Sequence, residues 1–303
     1  MLPSLPRRFV KNFLQKAALK CRANFYGRNQ MESNDHIVRE GVYIHPTDMV
    51  WPARPDEAVL QVKKLREVKV DENYPFLDRT FKGWFFRNLI YTIVFTLVFL
   101  LQHLRYGLKI EGKENIRRNK KLFKNGALTV CNHVYRWDFL AVVQATRKRE
   151  WFPARAENLG GSDQILIRSV GGIPIAENFA GMKKFYAAFD ELHSKKKWFH
   201  VFPEASRWQW YQPLRPFKRG AFEFAHRYDI PVIPMVITYR EPKGLRKLIG
   251  IKHPLLTLHV GEPFLSDQTI SSKQDSIRMR KMAFDKMCEM AGIVKNKWPC
   301  EGD

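Results

Sequence analysis

From about residue 111 onward, short apolar runs alternate with stretches of helical period, and that alternation admits few folds. Residues 127–131 read as a strand, 139–145 as a helix, and 165–170 as the end of a helix broken by Gly171-Gly172. Residues 173–176 read as a strand. Met182, Phe185, Tyr186, Phe189 and Leu192 then form a helical stripe. Strands follow at 198–202, 232–238 and 255–260, with helices at 221–226 and about 275–290. Strands that alternate with helices predict an α/β fold with a mostly parallel central sheet flanked by helices. In such sheets a site forms beyond the carboxyl ends of the strands. The segments after Cys131 and after Phe202 are two such ends.

The stretch before this domain is the most apolar. Residues 89–101 (LIYTIVFTLVFLL) carry neither charge nor proline, and the run free of Asp, Glu, Lys and Arg extends from Asn88 to Leu104. That is the short edge of a membrane-spanning helix, and it equally fits an interfacial or buried core helix. Trp84, Phe85 and Tyr106 lie at its two ends, as aromatics do at headgroup depth. Eight cations lie between Arg105 and Lys124, which predicts contact with anionic headgroups and a cytoplasmic face for the domain after them. The formal net charge of +22 would suit nucleic acid or an anionic membrane. The apolar run and the lack of a nucleic-acid recognition motif favour the membrane, so no nucleic acid is expected.

Residues 1–80 read as a basic N-terminal extension. Within it, Phe9, Val10, Phe13, Leu14, Ala17 and Cys21 share a helical face opposite several cations. This fits a basic interfacial helix, an ordinary surface helix, or an acid-free transit segment. Residues 32–78 read as a polar, proline-marked stretch with one helix near 56–68. The predicted organisation is therefore 1–80 extension, 81–108 membrane-embedded helix and 109–303 α/β domain. The four cysteines show no CxxC pairing, so free thiols in a reducing compartment are expected.

Two blocks carry chemistry. The first is Asn132-His133-Val134-Tyr135-Arg136-Trp137-Asp138, directly after the strand at 127–131. An imidazole there can remove a proton from a hydroxyl, and a carboxylate on its other nitrogen fixes the tautomer and steadies the imidazolium. The same spacing also fits an Asp at a helix N-terminus beside a surface histidine. Among nine histidines, only His133 has an aspartate five residues on. The second block, Phe202-Pro203-Glu204-Ala205-Ser206-Arg207, places a carboxylate, a hydroxyl and a guanidinium at another strand end. An arginine can grip phosphate bidentately, or such a block can be a turn with a surface ion pair. Gly171-Gly172-Ile173-Pro174-Ile175 and Ile230-Pro231-Val232-Ile233-Pro234 mark two further strand boundaries. There is no GxSxG, P-loop, GxGxxG or HExxH.

These four blocks, in this order over about residues 110–265, resemble the PlsC-type glycerolipid acyltransferase family, typified by 1-acylglycerol-3-phosphate acyltransferases. The resemblance implies a glycerol-3-phosphate acyltransferase-like α/β fold with an N-terminal membrane-associated helix. It implies a fatty acyl group moving from acyl-CoA or acyl carrier protein, as co-substrate, to the hydroxyl of a lysophospholipid. The leading acceptor is 1-acylglycerol-3-phosphate, which would give phosphatidic acid. Another lysolipid or a glycolipid acceptor, or a non-catalytic membrane-binding role, are the alternatives. His133 matches the general base and Asp138 its partner. Glu204, Ser206 and Arg207 match the acceptor-binding block, while Arg155, Lys218 and Arg219 match basic positions near the substrate. Pro234 would shape an acyl-binding wall. No metal and no cofactor is expected.

Two departures stand out. Glu177 occupies a position where relatives often carry arginine, which should weaken phosphate binding there. Ala205 replaces the usual glycine. The cluster Trp208-Gln209-Trp210-Tyr211 reads either as a lip at the membrane surface or as a packed loop.

Overall fold

The computed structural model describes residues 36–59, 67–159, 161 and 163–300. The basic helix expected before residue 32 lies outside the described residues. So does most of the helix expected near 56–68, and the described residues at its ends, 56–59 and 67–68, are not helical.

The elements run β1 Ile37–Val38, α1 Phe81–Leu104, β2 Lys109–Glu111, α2 Lys113–Arg118, β3 Leu128–Cys131, α3 Asp138–Thr146 and β4 Glu150–Ala154. There follow α4 Gln164–Val170, β5 Gly172–Pro174, α5 Phe179–Ser194, β6 Trp198–Val201, α6 Gly220–Tyr228 and β7 Val232–Arg240. The last are α7 Leu245–Leu248, β8 Leu255–Val260, α8 Ser272–Ala291 and β9 Ile293–Lys295. Seven strands form one sheet in the order β2-β8-β7-β3-β6-β4-β5, and β1 pairs with β9 separately. Within the large sheet only β7 and β8 run antiparallel; every other neighbouring pair is parallel. The fold is thus the mostly parallel α/β sheet that the alternation predicts.

The central strands β3, β6 and β7 are apolar almost throughout, because helices cover both faces. One core layer joins Leu128, Val130, Phe199 and Val236 to Phe189 of α5, Phe222 of α6 and Met279 of α8. The other joins Cys131, Ile233, Met235 and Leu258 to Ala141 and Val142 of α3. Gly171 shows why a glycine stands before β5. Its φ is +115°, and a Cβ there would come within 2.3 Å of the Glu150 carbonyl oxygen.

Helix α1 starts at Thr80, whose hydroxyl accepts from Gly83 N at 3.0 Å while Asp78 holds Thr80. Only Val94, Val98 and Gln102 are buried, a stripe at four-residue intervals that packs on Phe139, Leu140 and Val143 of α3 and Val170 of α4. The rest of the helix exposes Phe81, Phe85, Leu89, Ile93, Leu97, Leu100 and Leu104.

One expected boundary differs from the packing. Residues 36–80 belong to the same compact unit as the residues after them, so the structure shows no division at position 80. The reason is packing: Val70 and Phe76 lie in the main core, and the carbonyls of Pro55 and Glu57 accept from Arg215 and Trp208. Pro234 lies within the sheet, in register with Val130, and its carbonyl accepts from Gly261 N at 2.8 Å.

Candidate active site

The loop from Asn132 to Trp137 is fixed at both ends by side chains acting as backbone. After β3 ends, the Asn132 amide continues its ladder with β7. Its Oδ1 accepts from Ile237 N at 2.8 Å and its Nδ2 donates to Ile237 O at 3.1 Å. This fixes where His133 leaves the sheet. At the other end the Asp138 carboxylate, 1% exposed, accepts from Val134 N at 3.1 Å and Phe139 N at 2.8 Å. Trp137 occupies the N-cap, so Asp138 sits in the first turn of α3, where the helix dipole favours an anion.

The same carboxylate meets His133. Asp138 Oδ2 lies 2.6 Å from His133 Nδ1. A carboxylate accepts from Nδ1–H, which leaves the Nε2 lone pair for a substrate proton. Phe202, at the exit of β6, stacks on the imidazole at 3.9 Å between centroids and 15° between planes. The ring is thus fixed by a hydrogen bond at one edge and by an aromatic face.

The Phe202–Arg207 block wraps around this pair in ways its residue types do not announce. Glu204 is buried and fully engaged. It accepts from Arg215 Nη2 at 2.9 Å, from Arg215 N at 3.1 Å and from His133 N at 3.2 Å. Arg215 has none of its side chain exposed. It also donates to Ser206 Oγ at 2.7 Å, to Ser206 O and to Pro55 O at 3.2 Å, and stacks over Trp208. Glu204 and Ser206 therefore hold the turn and the His133 loop through Arg215. Ala205 has φ +60°, the left-handed region that glycine adopts freely.

Arg207 differs from its neighbours. Its Nε is buried with no partner, and the guanidinium makes no hydrogen bond or ion pair among the described residues. Burial lowers its pKa from the ordinary value, and the nearby Asp138 carboxylate works against that shift. A cation held beside a His–Asp pair with its donors free is suited to an anionic group on the substrate.

Lys218 N donates to Pro203 O at 2.7 Å, which ties its backbone to the Phe202–Arg207 block, while the basic side chains have other surroundings. Arg155 pairs with Glu157 at 3.5 Å, Arg219 pairs with Glu223 at 3.3 Å along α6, and Lys218 is exposed. Glu177 is exposed, with its backbone N bonded to Val70 O at 3.1 Å.

The aromatic cluster after Arg207 is a packed loop, not a lip. Trp208 is buried and its Nε1 donates to Glu57 O at 2.8 Å; Tyr211 is buried too. Trp208 N and Trp210 N donate to His133 O and Val134 O at 3.0 and 2.9 Å, so this loop pairs with the Asn132–Trp137 loop. Gln102 braces it from the other side, donating to the Tyr135 hydroxyl and to Trp137 O at 2.8 Å. Asn132 and Phe202 open the two sequence blocks without a role being legible there, and Arg215 and Gln102 lie outside them. A polar Gln102 at the end of an apolar run is the signal that marks the last of these.

Below Phe202 lies a buried polar cluster. Thr129 Oγ1 sits 2.5 Å from Glu150 Oε2 and 2.8 Å from His200 Nδ1, and Thr146 Oγ1 sits 2.7 Å from Glu150 Oε1. Burial pushes Glu150 up to about 8, partly offset by the two threonine hydrogen bonds. Burial, then the proximity of His133, pushes His200 down to about 3. Both are neutral at pH 7, so their 3.9 Å approach is not an ion pair.

Residues 107–238 match the family model described as Acyltransferase. No curated protein sequence matches. Among solved structures the chain is similar to the 1-acyl-sn-glycerophosphate (LPA) acyltransferase PlsC from Thermotoga maritima. The identity is 21% over 71% of this chain and 83% of that one, with a TM-score of 0.45.

Proposed function

With residues 107–238 an acyltransferase-family domain, we propose that this chain transfers a fatty acyl group from a thioester to the hydroxyl of a lysophospholipid, 1-acylglycerol-3-phosphate foremost. The observation that carries this reading is the 2.6 Å contact of His133 Nδ1 with Asp138, beside the unpaired guanidinium of Arg207. The acceptor phosphate binds Arg207. His133 Nε2 takes the hydroxyl proton as the oxygen attacks the thioester carbonyl, and Asp138 stabilises the imidazolium. Collapse of the tetrahedral intermediate expels the thiolate of coenzyme A or acyl carrier protein, which recovers the proton from His133.

Membrane contact is part of the same proposal. α1 leaves an apolar face exposed from Phe81 to Leu104, of the kind that marks a membrane or partner surface. Its opposite stripe, Val94 to Gln102, is held by α3 and α4. A helix held along its side by a water-soluble domain rests in one leaflet more readily than it crosses both. Leu245, Leu248 and Ile249, exposed among Lys243, Arg246 and Lys247, extend that face, with Arg246 bonded to His103 O of α1 at 3.0 Å. The active site then faces the cytoplasm, with anionic headgroups beside the basic segment after α1.

The test is thiol release from acyl-CoA and from acyl carrier protein with a panel of lysolipids on vesicles. Lysophosphatidic acid should support the fastest turnover, and His133→Ala should lower kcat by about 10²–10⁴-fold. Full turnover in His133→Ala would eliminate the mechanism. A preference for an acceptor lacking phosphate would eliminate the assignment of Arg207.

A further inference from the structure

A cleft of about 360 Å³ opens between the first half of α1, α4 and the start of β4 and β5. It is not the catalytic cleft. Its α1 wall is Gly83, Phe86, Arg87 and Ile90, whereas α1 meets the catalytic loop at Gln102. That is about 18 Å further along the helix axis at 1.5 Å per residue. On the sheet, its wall residue Trp151 is in register with Phe199 near the start of β6, away from the strand ends that carry His133 and Phe202.

The cleft collects more positive charge than its one carboxylate matches. Arg87 and Arg168 line it, and Arg87 lies within electrostatic reach of both Arg168 and Arg149. Arg149 packs beside the cleft, its guanidinium over the rings of Tyr91 and Trp151. None of the three makes an ion pair among the described residues. Their hydrogen bonds go to neutral oxygens: Asp78 O for Arg87, Pro75 O and Phe76 O for Arg168, and Asn88 Oδ1 and Ser169 O for Arg149. The Nε atoms of Arg87 and Arg149 are buried with no partner. One carboxylate, Asp78, lines the cleft within electrostatic reach of both Arg87 and Arg168, and its Oδ1 also accepts from Thr80. Three clustered guanidiniums against one carboxylate leave a local excess that an anion would neutralise.

The mouth of the cleft is apolar. Phe86 and Ile165 line it and are also exposed, and Phe86 is continuous with the exposed face of α1. An amphiphile fits this combination: a phosphate against the guanidiniums and a glycerol and acyl portion over Phe86, Ile90 and Ile165. We propose that this cleft is a second, non-catalytic binding site for an anionic phospholipid of the bilayer on which α1 rests. The inference uses the membrane contact proposed above but not the chemistry at His133.

The experiment uses full-length protein on phosphatidylcholine vesicles doped with phosphatidylserine bearing a headgroup-proximal diazirine, a diacyl lipid without the lysolipid acceptor hydroxyl. After irradiation, adducts are mapped by mass spectrometry. Adducts are expected on residues 76–78 and 164–169 of the wild type. Arg87→Gln should reduce them by about ten-fold, as expected for loss of one charge-assisted contact, and Arg87→Lys should restore most of the labelling. Adducts confined to 133–138 and 202–207 would overturn the proposal without bearing on acyl transfer. Undiminished labelling in a folded Arg87→Gln would do the same. So would suppression by inorganic phosphate or coenzyme A as strong as that by soluble dihexanoyl phosphatidylserine. The wild-type map stands on its own if Arg87→Gln fails to fold.

Discussion

Replacing Glu204 by glutamine separates two roles that the Phe202–Arg207 block could give a carboxylate. If Glu204 gripped the acceptor, its loss would raise KM and leave the fold intact. The structure gives it a different task. Its carboxylate accepts three hydrogen bonds, two from Arg215 and one from His133 N. Glutamine supplies one carbonyl oxygen and turns an amide N–H₂ toward donors. Arg215, with no exposed side-chain surface, would lose its countercharge. It would keep only neutral oxygens at Ser206 and Pro55 and the Trp208 ring. Breaking one side of a buried pair costs about 3–5 kcal/mol. Against a total stability of about 5–15 kcal/mol, that is a large fraction. For a domain of this size Tm should fall by roughly 6–20 °C. Because His133 N loses its acceptor too, kcat should drop while the KM for acceptor changes little. Differential scanning calorimetry and steady-state kinetics on the same preparation decide it. A variant within about 1 kcal/mol of wild type whose main defect is a raised acceptor KM would refute the structural role.

Two further outcomes belong to the same neighbourhood. Ala205 holds φ +60°, where a Cβ is penalised, so Ala205→Gly should stabilise by about 0.5–1 kcal/mol after the entropy of the unfolded glycine is counted; a lower Tm would contradict that backbone reading. Glu150 has a folded pKa of about 8, above its unfolded value, so its stabilising contribution is complete in acid and is lost as pH rises toward 8. His200, held neutral at about 3, acts in the opposite sense below its ordinary value. Wild-type stability in urea should therefore change little between about pH 4.5 and 6.5, then fall by roughly 1.4 kcal/mol per unit up to pH 8. Glu150→Gln should abolish that upper fall; an unchanged slope would mean that Glu150 is ionised in the folded state.

The sequence made the sheet legible because β3, β6, β7 and β8 are short apolar runs bounded by polar loops. It concealed β4, whose residues Glu150 to Ala154 include a glutamate and a proline. Burial beside two threonines keeps Glu150 protonated, and Pro153 pairs with β5 only after the strand has left β6. At the site, the His133–Asp138 pair was legible because a strand exit and a helix start fix both residues. The partners that explain Glu204 and Trp208 were not. Arg215 lies eleven residues from Glu204, outside the block, and the Pro55 and Glu57 carbonyls come from the polar, proline-marked stretch before α1. Backbone acceptors leave no trace in residue type.

Gln102 ties these levels together. An apolar helix that only touched lipid would have no use for a fully buried amide in its last turns. Here that amide donates to the Tyr135 hydroxyl and the Trp137 carbonyl, and accepts from Gln144 of α3. Tyr135 and Trp137 both lie between His133 and Asp138. The helix whose outer face is apolar is thus bonded on its inner face to the loop that holds the imidazole. The Gln102 amide is engaged through both its nitrogen and its oxygen, so moving it would leave buried polar groups unpaired. Any tilt of α1 away from α3 would therefore break bonds to the Asn132–Trp137 loop as well as the apolar contacts with α3. In this geometry, seating α1 and aligning His133 are one structural event.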